Sequence, residues 1–357
     1  MKACRRESPP EGSATVKAAA QGGIHPDQHQ FCTLFDSNYL TRAVTMYRSL
    51  EEHCPAFHLT CVCFDDRAKE LLDLLRLPQL SSVGLWELEA SDPSLLSIKS
   101  DRTAVEYCWT STPALPLFLF KRYANLSRVT YLDADLFFFS DPQPLFEEMG
   151  DNSVLITPHR FAPEYRHRMV NGIYNVQFVS FRRDGRGLTC LRWWHDRCIE
   201  WCYARPEQGK LGDQKYLDDW PERFEGVHVL EHKGGGLAPW NASSYNVRAV
   251  DGRVFVDEDP LVFHHFHGLR IFKDRNRGWK SRGYRVPLGV RHLVYEPYLV
   301  AFERVLEEVR SVAPGFCHGM AERANWRDRL SDRKSILAGE VARFFPVLAR
   351  LRRKLAD

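Results

Sequence analysis

Nowhere do the 357 residues contain a run of eighteen apolar side chains, so no stretch reads as a membrane-spanning helix. The start, Met1 to Gly23, is made of Ala, Gly, Pro and charged residues and has no apolar core of the kind a secretory signal needs. The expectation is a protein neither secreted nor membrane-spanning, in which the sequons at Asn125 and Asn241 carry no sugar. The ten cysteines form neither a disulfide framework nor paired C-x-x-C motifs, and Cys61 and Cys63 fall in a buried strand. Reduced thiols in a cytoplasmic protein fit that usage. His195, Cys198 and Cys202 would share a helix face and could ligate zinc. No fourth ligand is apparent, however, and core packing is the preferred reading. No large excess of one charge is present either: the net +3 is too mild to point to nucleic acid, and no region looks like an RNA or DNA module. Internal repeats are absent.

What is there is ample apolar content, 44% of the chain, enough for a core without staples. Residues 1 to 28 read as a disordered leader with no periodicity. Phe31 to Phe35 then reads as a buried strand ending in Asp36-Ser37-Asn38-Tyr39. The next segment carries Leu40, Ala43, Val44, Tyr47 and Leu50 on one helical face. His58 to Phe64 reads as a strand, and Asp66 to Leu77 as a helix stopped by Pro78. Alternation of strand and helix predicts an α/β fold with a mostly parallel sheet covered on both sides, in which ligands bind beyond the carboxyl ends of strands. Asp36 and Asn38 lie there. Further on, 80 to 100 reads as irregular with a short strand at Val83 to Leu88, and Thr112 to Tyr123 as a helix. Ser153 to Thr157 and Val176 to Phe181 read as strands and Gly187 to Tyr203 as a helix. Gly212 to Trp220 reads as a short helix, Lys233 to Trp240 as a loop, and Pro260 to His267 as a strand.

The stretch that asks most for an explanation is Val129 to Phe139, strand-like and apolar except for Asp133 and Asp135. An ionised carboxylate in such a run needs a partner. Two positions apart in extended chain, both side chains point to one side and can converge on one cation. Hard oxygen ligands suit Mg²⁺ or Mn²⁺, ions that usually bind through one or two carboxylates plus substrate phosphates. The plainer alternative is a strand ending in a turn, with both aspartates capping and solvated.

The ordered set Asp36-x-Asn38-Tyr39, Asp133-x-Asp135, Asn175, Asp213-Gln214 and His265-x-x-Gly268 resembles the nucleotide-sugar glycosyltransferases of GT-A fold, most of all glycosyltransferase family 8, over roughly residues 31 to 280. The resemblance implies a Rossmann-like GT-A domain over 29–295 and metal-dependent transfer of a sugar from a nucleotide-diphosphate donor, UDP-linked by preference. By the same likeness Phe35, Asp36 and Asn38 hold the nucleoside, and Asp133 touches ribose and metal. Asp135 and His265 complete the protein's share of the metal shell, with His267 as the alternative histidine. One imidazole among oxygens tilts the choice towards Mn²⁺ over Mg²⁺. Asn175 and Gln177 would lie near the sugar, with Asp213 on its hydroxyls and Gln214 near the anomeric carbon, a geometry linked to retention. Gly268 belongs with the donor site, and Arg270, Lys273, Arg277 and Lys280 follow in a loop that could close over the diphosphate, with an ordinary solvated basic loop as the plainer alternative.

The chain departs from the family in three places. Ile271 stands where a lysine is expected, so the phosphate role passes to Lys273 or Arg270. The arginine expected before the central strand is missing, with Lys99 or Arg102 as substitutes. Asn175-Val176-Gln177 puts a larger side chain where the family has glycine, which opens the identity of the sugar. Residues 296–357 read as a helical, basic extension. Its end carries Arg343, Arg350, Arg352, Arg353 and Lys354 against Asp357, interleaved with apolar residues, and could lie on an anionic membrane surface or pack on its own domain. The combined expectation is a transferase acting on a glycan or lipid-linked acceptor in bacterial surface-polysaccharide synthesis (lipopolysaccharide or capsule), at the inner membrane face. Two rivals stand beside it. A sugar-nucleotide-forming nucleotidyltransferase would need a glycine-rich, cation-bearing loop after the first strand, which Asp36 to Tyr39 does not supply. A non-catalytic nucleotide-sugar or glycan-binding protein would tolerate loss of Asp135.

Overall fold

The computed structural model describes residues 28–273 and 279–322. The expected leader and the basic end of the chain fall outside the described residues, as does Arg277. The first half alternates as its periodicity predicts: β1 (His29–Phe35), α1 (Leu40–His53), β2 (Phe57–Cys63), α2 (Asp66–Leu75) and β3 (Leu80–Gly84). Asp65 starts α2 by accepting the Ala68 N–H at 2.7 Å, which satisfies one of the free donors of the first turn.

The next stretch corrects the reading of residues 80 to 100. In place of irregular chain there are helices α3 (Leu85–Ser91) and α4 (Pro93–Ile98), and the strand ends at Gly84. Glu87 turns the chain here, its carboxylate accepting the Gly84 N–H. The expected helix over 112–123 is α6 (Ala114–Arg122); an unforeseen helix, α5 (Ala104–Ser111), precedes it, and Pro113, which has no N–H to continue a ladder, lies between them. Thr103 and Glu106 cap α5 reciprocally.

The run from Val129 to Phe139 is also split. β4 (Arg128–Leu132) and β5 (Leu136–Phe138) belong to different sheets, and Asp133, Ala134 and Asp135 form the turn between them. There follow α7 (Gln143–Met149), β6 (Val154–Pro158), a 3₁₀ segment (Pro163–Asn171), β7 (Tyr174–Arg182), α8 (Gly185–Glu200), a second 3₁₀ turn (Gln214–Asp219), α9 (Trp220–Arg223), β8 (Val227–Val229) and β9 (Gly235–Leu237). β9 lies inside the expected loop over 233–240. A three-stranded meander, β10 (Val247–Val250), β11 (Arg253–Val256) and β12 (Asp259–Pro260), precedes β13 (Phe263–His265), the hairpin β14 (Leu269–Ile271) and β15 (Trp279–Ser281), α10 (Leu288–Val290) and α11 (Glu296–Val312).

The main sheet runs β3-β2-β1-β4-β7-β6-β8, parallel from β3 to β4 and antiparallel at β4–β7 and β7–β6. Two hydrophobic clusters, built around Phe31, Phe138 and Phe263 in one and Val129, Phe181 and Trp194 in the other, pack the fold. α11 buries Tyr298, Phe302, Val305, Leu306 and Val309 in the first cluster, alongside α1. The start of the expected extension is thus packed into the core. No helix among the described residues is long and apolar enough to cross a membrane.

Candidate active site

Register decides which residues meet. β1 and β4 are parallel, with Cys32 opposite Tyr131, so both strands deliver their following residues, Asp36 and Asp133-Ala134-Asp135, to the same edge of the sheet. β7 runs the other way against β4, with Leu132 opposite Phe178, which brings Gln177 and Asn175 to that edge at its start. In the small sheet β5 is antiparallel to β13, with Leu136 opposite His265, so the imidazole arrives beside Asp135 from far away in sequence.

His265 Nε2 lies 3.0 Å from Asp135 Oδ1 and 3.7 Å from Asp133 Oδ2. One ligand atom from each of the three lies within 4.8 Å of the others, a group able to hold a metal ion. The other imidazole nitrogen, Nδ1, is 2.7 Å from Gln177 Oε1. An amide oxygen can only accept, so Nδ1 carries the hydrogen and Nε2 is left to face the carboxylates, the arrangement that a hydrogen-bond partner behind the ring imposes on metal-bound histidines. Gln177 is held in turn: its N–H donates to Asn175 Oδ1 at 2.7 Å, and Gln177 O accepts the Asp133 N–H at 3.0 Å. These residues therefore fit an oxygen-preferring divalent ion with one nitrogen ligand.

The charges are tuned unequally. Burial pushes the Asp133 carboxyl up to about 6, against the pull of His265. Burial also acts on Asp135, but the imidazole beside it more than offsets this and holds the group down at about 2. His265 is raised in turn, the two carboxylates overcoming its burial. His267, the alternative ligand, is held neutral at about 4 by burial and by His265; it is the ring of His265 that falls among the carboxylates. Trp240 touches both histidines edge-on, 5.3 Å and 5.6 Å between ring centres.

The remaining expected residues group as follows. Asp213 is buried, pushed up to about 7 by burial and then by Asp133, and its Oδ2 has no hydrogen-bond partner among the described residues. Gln214 donates from Nε2 to Asn171 O at 2.9 Å, and its Oε1 lies 3.5 Å from Asn175 Nδ2. Asp36 accepts both the N–H and the side-chain amide of Asn38, at 3.0 and 2.9 Å. The thiol of Cys108 is raised by burial first and then by the charges of Asp213, Asp133 and Asp36. Phe35 is part of the apolar core. Gly268 makes the turn between β13 and β14 at φ +66°, a conformation that favours glycine. Arg270 and Lys280 sit directly opposite each other in the β14–β15 hairpin.

Not every expected residue joins this group. Lys273 is paired with Glu322 at 3.0 Å. Lys99 is paired with Glu89 at 2.7 Å, and Arg102 lies over the Tyr203 ring and donates to Ile199 O. His195 pairs with Asp92 at 2.6 Å while Cys198 and Cys202 are buried in the second core cluster. Sequence reasoning missed Arg42 and gave Tyr39, which closes the Asp36-x-Asn38-Tyr39 motif, no role. Tyr39 is raised first by Asp135, and Arg42 donates to Asn38 O, Leu269 O and Gly319 O, tying the first strand's turn to the β14 hairpin. The one available signal was their position in the turn and first helical residues after β1.

No family model matches the chain. Among solved structures, the galactosyltransferase LgtC in complex with donor and acceptor sugar analogs aligns with 79% of this chain and 95% of its own, at 15% identity and a TM-score of 0.47. Mouse xyloside xylosyltransferase 1 aligns with 70% and 99%, at 15% identity and a TM-score of 0.43. At such identities the likeness concerns the course of part of the backbone and nothing else. Sequence relatives reach further. Protein YfnD of Bacillus subtilis (strain 168), described as uncharacterized, is 36% identical over 295 residues, covering 81% of this chain and 93% of its own length. YfnF of the same strain, likewise uncharacterized, is 33% identical over 294 residues, covering 80% and 95%. The chain belongs to the protein family of YfnD and YfnF.

Proposed function

We propose that the chain is a metal-dependent glycosyltransferase that moves a sugar from a nucleotide-diphosphate donor, UDP-linked by preference, to a hydroxyl of a glycan or lipid-linked acceptor. The observation that carries this reading is the convergence of Asp133, Asp135 and His265 with Asp213 close by, at the edge where β1 presents Asp36 and Asn38. The bond between the anomeric carbon and the β-phosphate oxygen breaks, the acceptor oxygen bonds to that carbon and loses its proton, and the nucleoside diphosphate leaves. A divalent ion held by Asp133, Asp135 and His265, Mn²⁺ before Mg²⁺, would act as a Lewis acid for the charge that develops on the diphosphate.

The chain's own side chains do the rest. Asp36 and Asn38 bind the nucleoside, and Arg270 and Lys280 add positive charge by the phosphates, a role in which the pairing of Lys273 with Glu322 leaves it a lesser share. Asp213, with one oxygen unsatisfied, accepts from sugar hydroxyls, and Gln214 stands by the anomeric carbon. Asp213 is the one candidate base among the described residues, and the outcome proposed is retention. A role in bacterial surface-polysaccharide synthesis, in the cytoplasm at the inner membrane face, completes the reading.

The test is a panel of UDP-, GDP- and dTDP-sugars with and without Mn²⁺. A matching donor at a hundredfold excess over its Kd stabilises the folded protein by about 2.7 kcal/mol. Stabilisation by a donor that needs Mn²⁺, followed by sugar transfer, supports the reading. A panel with no response contradicts it.

A further inference from the structure

At the opposite end of β4 lies a second group that the proposed chemistry does not use. Arg128, the first residue of β4, sits directly opposite Arg182, the last of β7. Like charges facing each other across a ladder are destabilising. Neither arginine has a carboxylate partner among the described residues, yet both are held in place. Arg128 lies flat on the Phe146 ring, 3.9 Å from its centre, and donates to His29 Nδ1 at 3.0 Å. His29 is itself stacked on Phe146 at 4.6 Å and is kept neutral at about 4, by burial first and then by Arg128. Arg182 donates to Asn152 O at 2.9 Å and to Gly150 O. All of these anchors are neutral. The two charges remain uncompensated, and burial together with Arg182 brings Arg128 down to about 10.

Both arginines line a cavity of about 260 Å³ whose other walls are mostly polar, with Gln30, Ser127 and Gln143 beside the apolar Leu126. The two guanidiniums are held before any ligand arrives, and Nη1 of each takes no part in the bonds that hold them, which leaves N–H donors for an oxyanion. His29 also lies with Cys54 and Asp141 in a group of metal-ligand type. The guanidinium on its Nδ1 takes that lone pair and opposes a cation, so an anion is favoured.

We infer that the Arg128–Arg182 corner is a second binding site, selective for a phosphoryl group carried by a soluble phosphate ester or by a lipid headgroup. Five residues of strand separate it from Asp133, roughly 16 Å, so it is distinct from the sugar-transfer cleft.

The test uses the full chain carrying Asp135→Asn, with chelator present, so that the cleft does not answer to phosphate through a metal. Inorganic phosphate, set against sodium chloride of equal ionic strength, is expected to raise the melting temperature. Arg182→Gln and Arg128→Gln should each weaken phosphate binding by roughly tenfold or more. Arg182→Lys keeps the charge but not the fork, and provides a folded variant should the glutamine forms fail. General salting effects of phosphate would act equally on all variants. Glycerol 3-phosphate binding and flotation with phosphatidic acid vesicles, against phosphatidylcholine, then separate the sources. An arginine-dependent response to either supports the inference. No phosphate response in the parent, or one unchanged in the arginine variants, overturns it.

Discussion

The two ends of β4 carry charge in opposite ways. At its carboxyl end Asp133 and Asp135 are gathered by a turn and compensated by His265, whose orientation Gln177 fixes through 2.7 Å of hydrogen bond. At its amino end Arg128 and Arg182 face each other and, among the described residues, are steadied by an aromatic ring, a neutral imidazole and backbone carbonyls. A strand that satisfies its own backbone costs little to build, while charge collected at its ends has a cost in the free protein that a ligand of opposite sign can offset. One end is thus suited to a cation and the diphosphate it carries, the other to an anion.

The comparison breaks most readily at Asp135. Asp135→Asn should lower sugar-transfer turnover by roughly three orders of magnitude or more while far-UV circular dichroism stays unchanged, since the lost stabilisation of developing charge is worth several kcal/mol. A variant retaining a tenth of the activity would favour a metal-independent reaction. A smaller effect is expected at Gln177. Gln177→Leu removes the acceptor that orients His265 and should weaken Mn²⁺ binding by roughly 10- to 100-fold in calorimetric titration, whereas Gln177→Glu, which keeps an acceptor, should restore most of it.

The protonation of the carboxyl end sharpens the contrast further. His265 has its pKa raised by the two carboxylates, so the ion must displace a proton from Nε2 as the pH falls. Mn²⁺ affinity should therefore drop by about tenfold per unit on the acid side of that titration, measured in buffers matched for ionic strength. The gentlest effect concerns Asp213. Its carboxyl is pushed from the ordinary 3.8 up to about 7, so the folded state holds the proton more tightly than the unfolded state. Its contribution to stability is complete below pH 4 and is lost as the pH rises towards 7 and beyond. In the metal-free protein Asp213→Asn should flatten the fall in stability between pH 4 and 8, as read by urea unfolding. An unchanged slope would show that Asp213 is solvated and poorly placed to meet a sugar.

Much of this was legible in the chain. The apolar periodicities of 31–77 gave the alternating β–α start, and carboxylates at the ends of apolar runs marked the site because charge there needs a reason. The failures have physical causes. Val83 to Leu88 is a short apolar run that periodicity alone cannot assign, and the Gly84–Glu87 turn converts its second half to helix. The capping pair Thr103 and Glu106 was readable and would have revealed α5. That Asp133 and Asp135 lie between two sheets could not be read, because one unbroken apolar pattern runs through both strands. Gln177 looked like a bulkier neighbour for the sugar. Its contact with His265 spans 88 positions and depends on register between sheets, which no local pattern encodes.

The most direct test of the central claim is anomalous X-ray diffraction at the manganese edge from crystals soaked with Mn²⁺ and UDP. The account predicts a single strong peak within bonding distance of Asp133, Asp135 and His265 Nε2, bridged to diphosphate oxygens. A peak elsewhere, or diphosphate bound with no metal between it and these side chains, would contradict it.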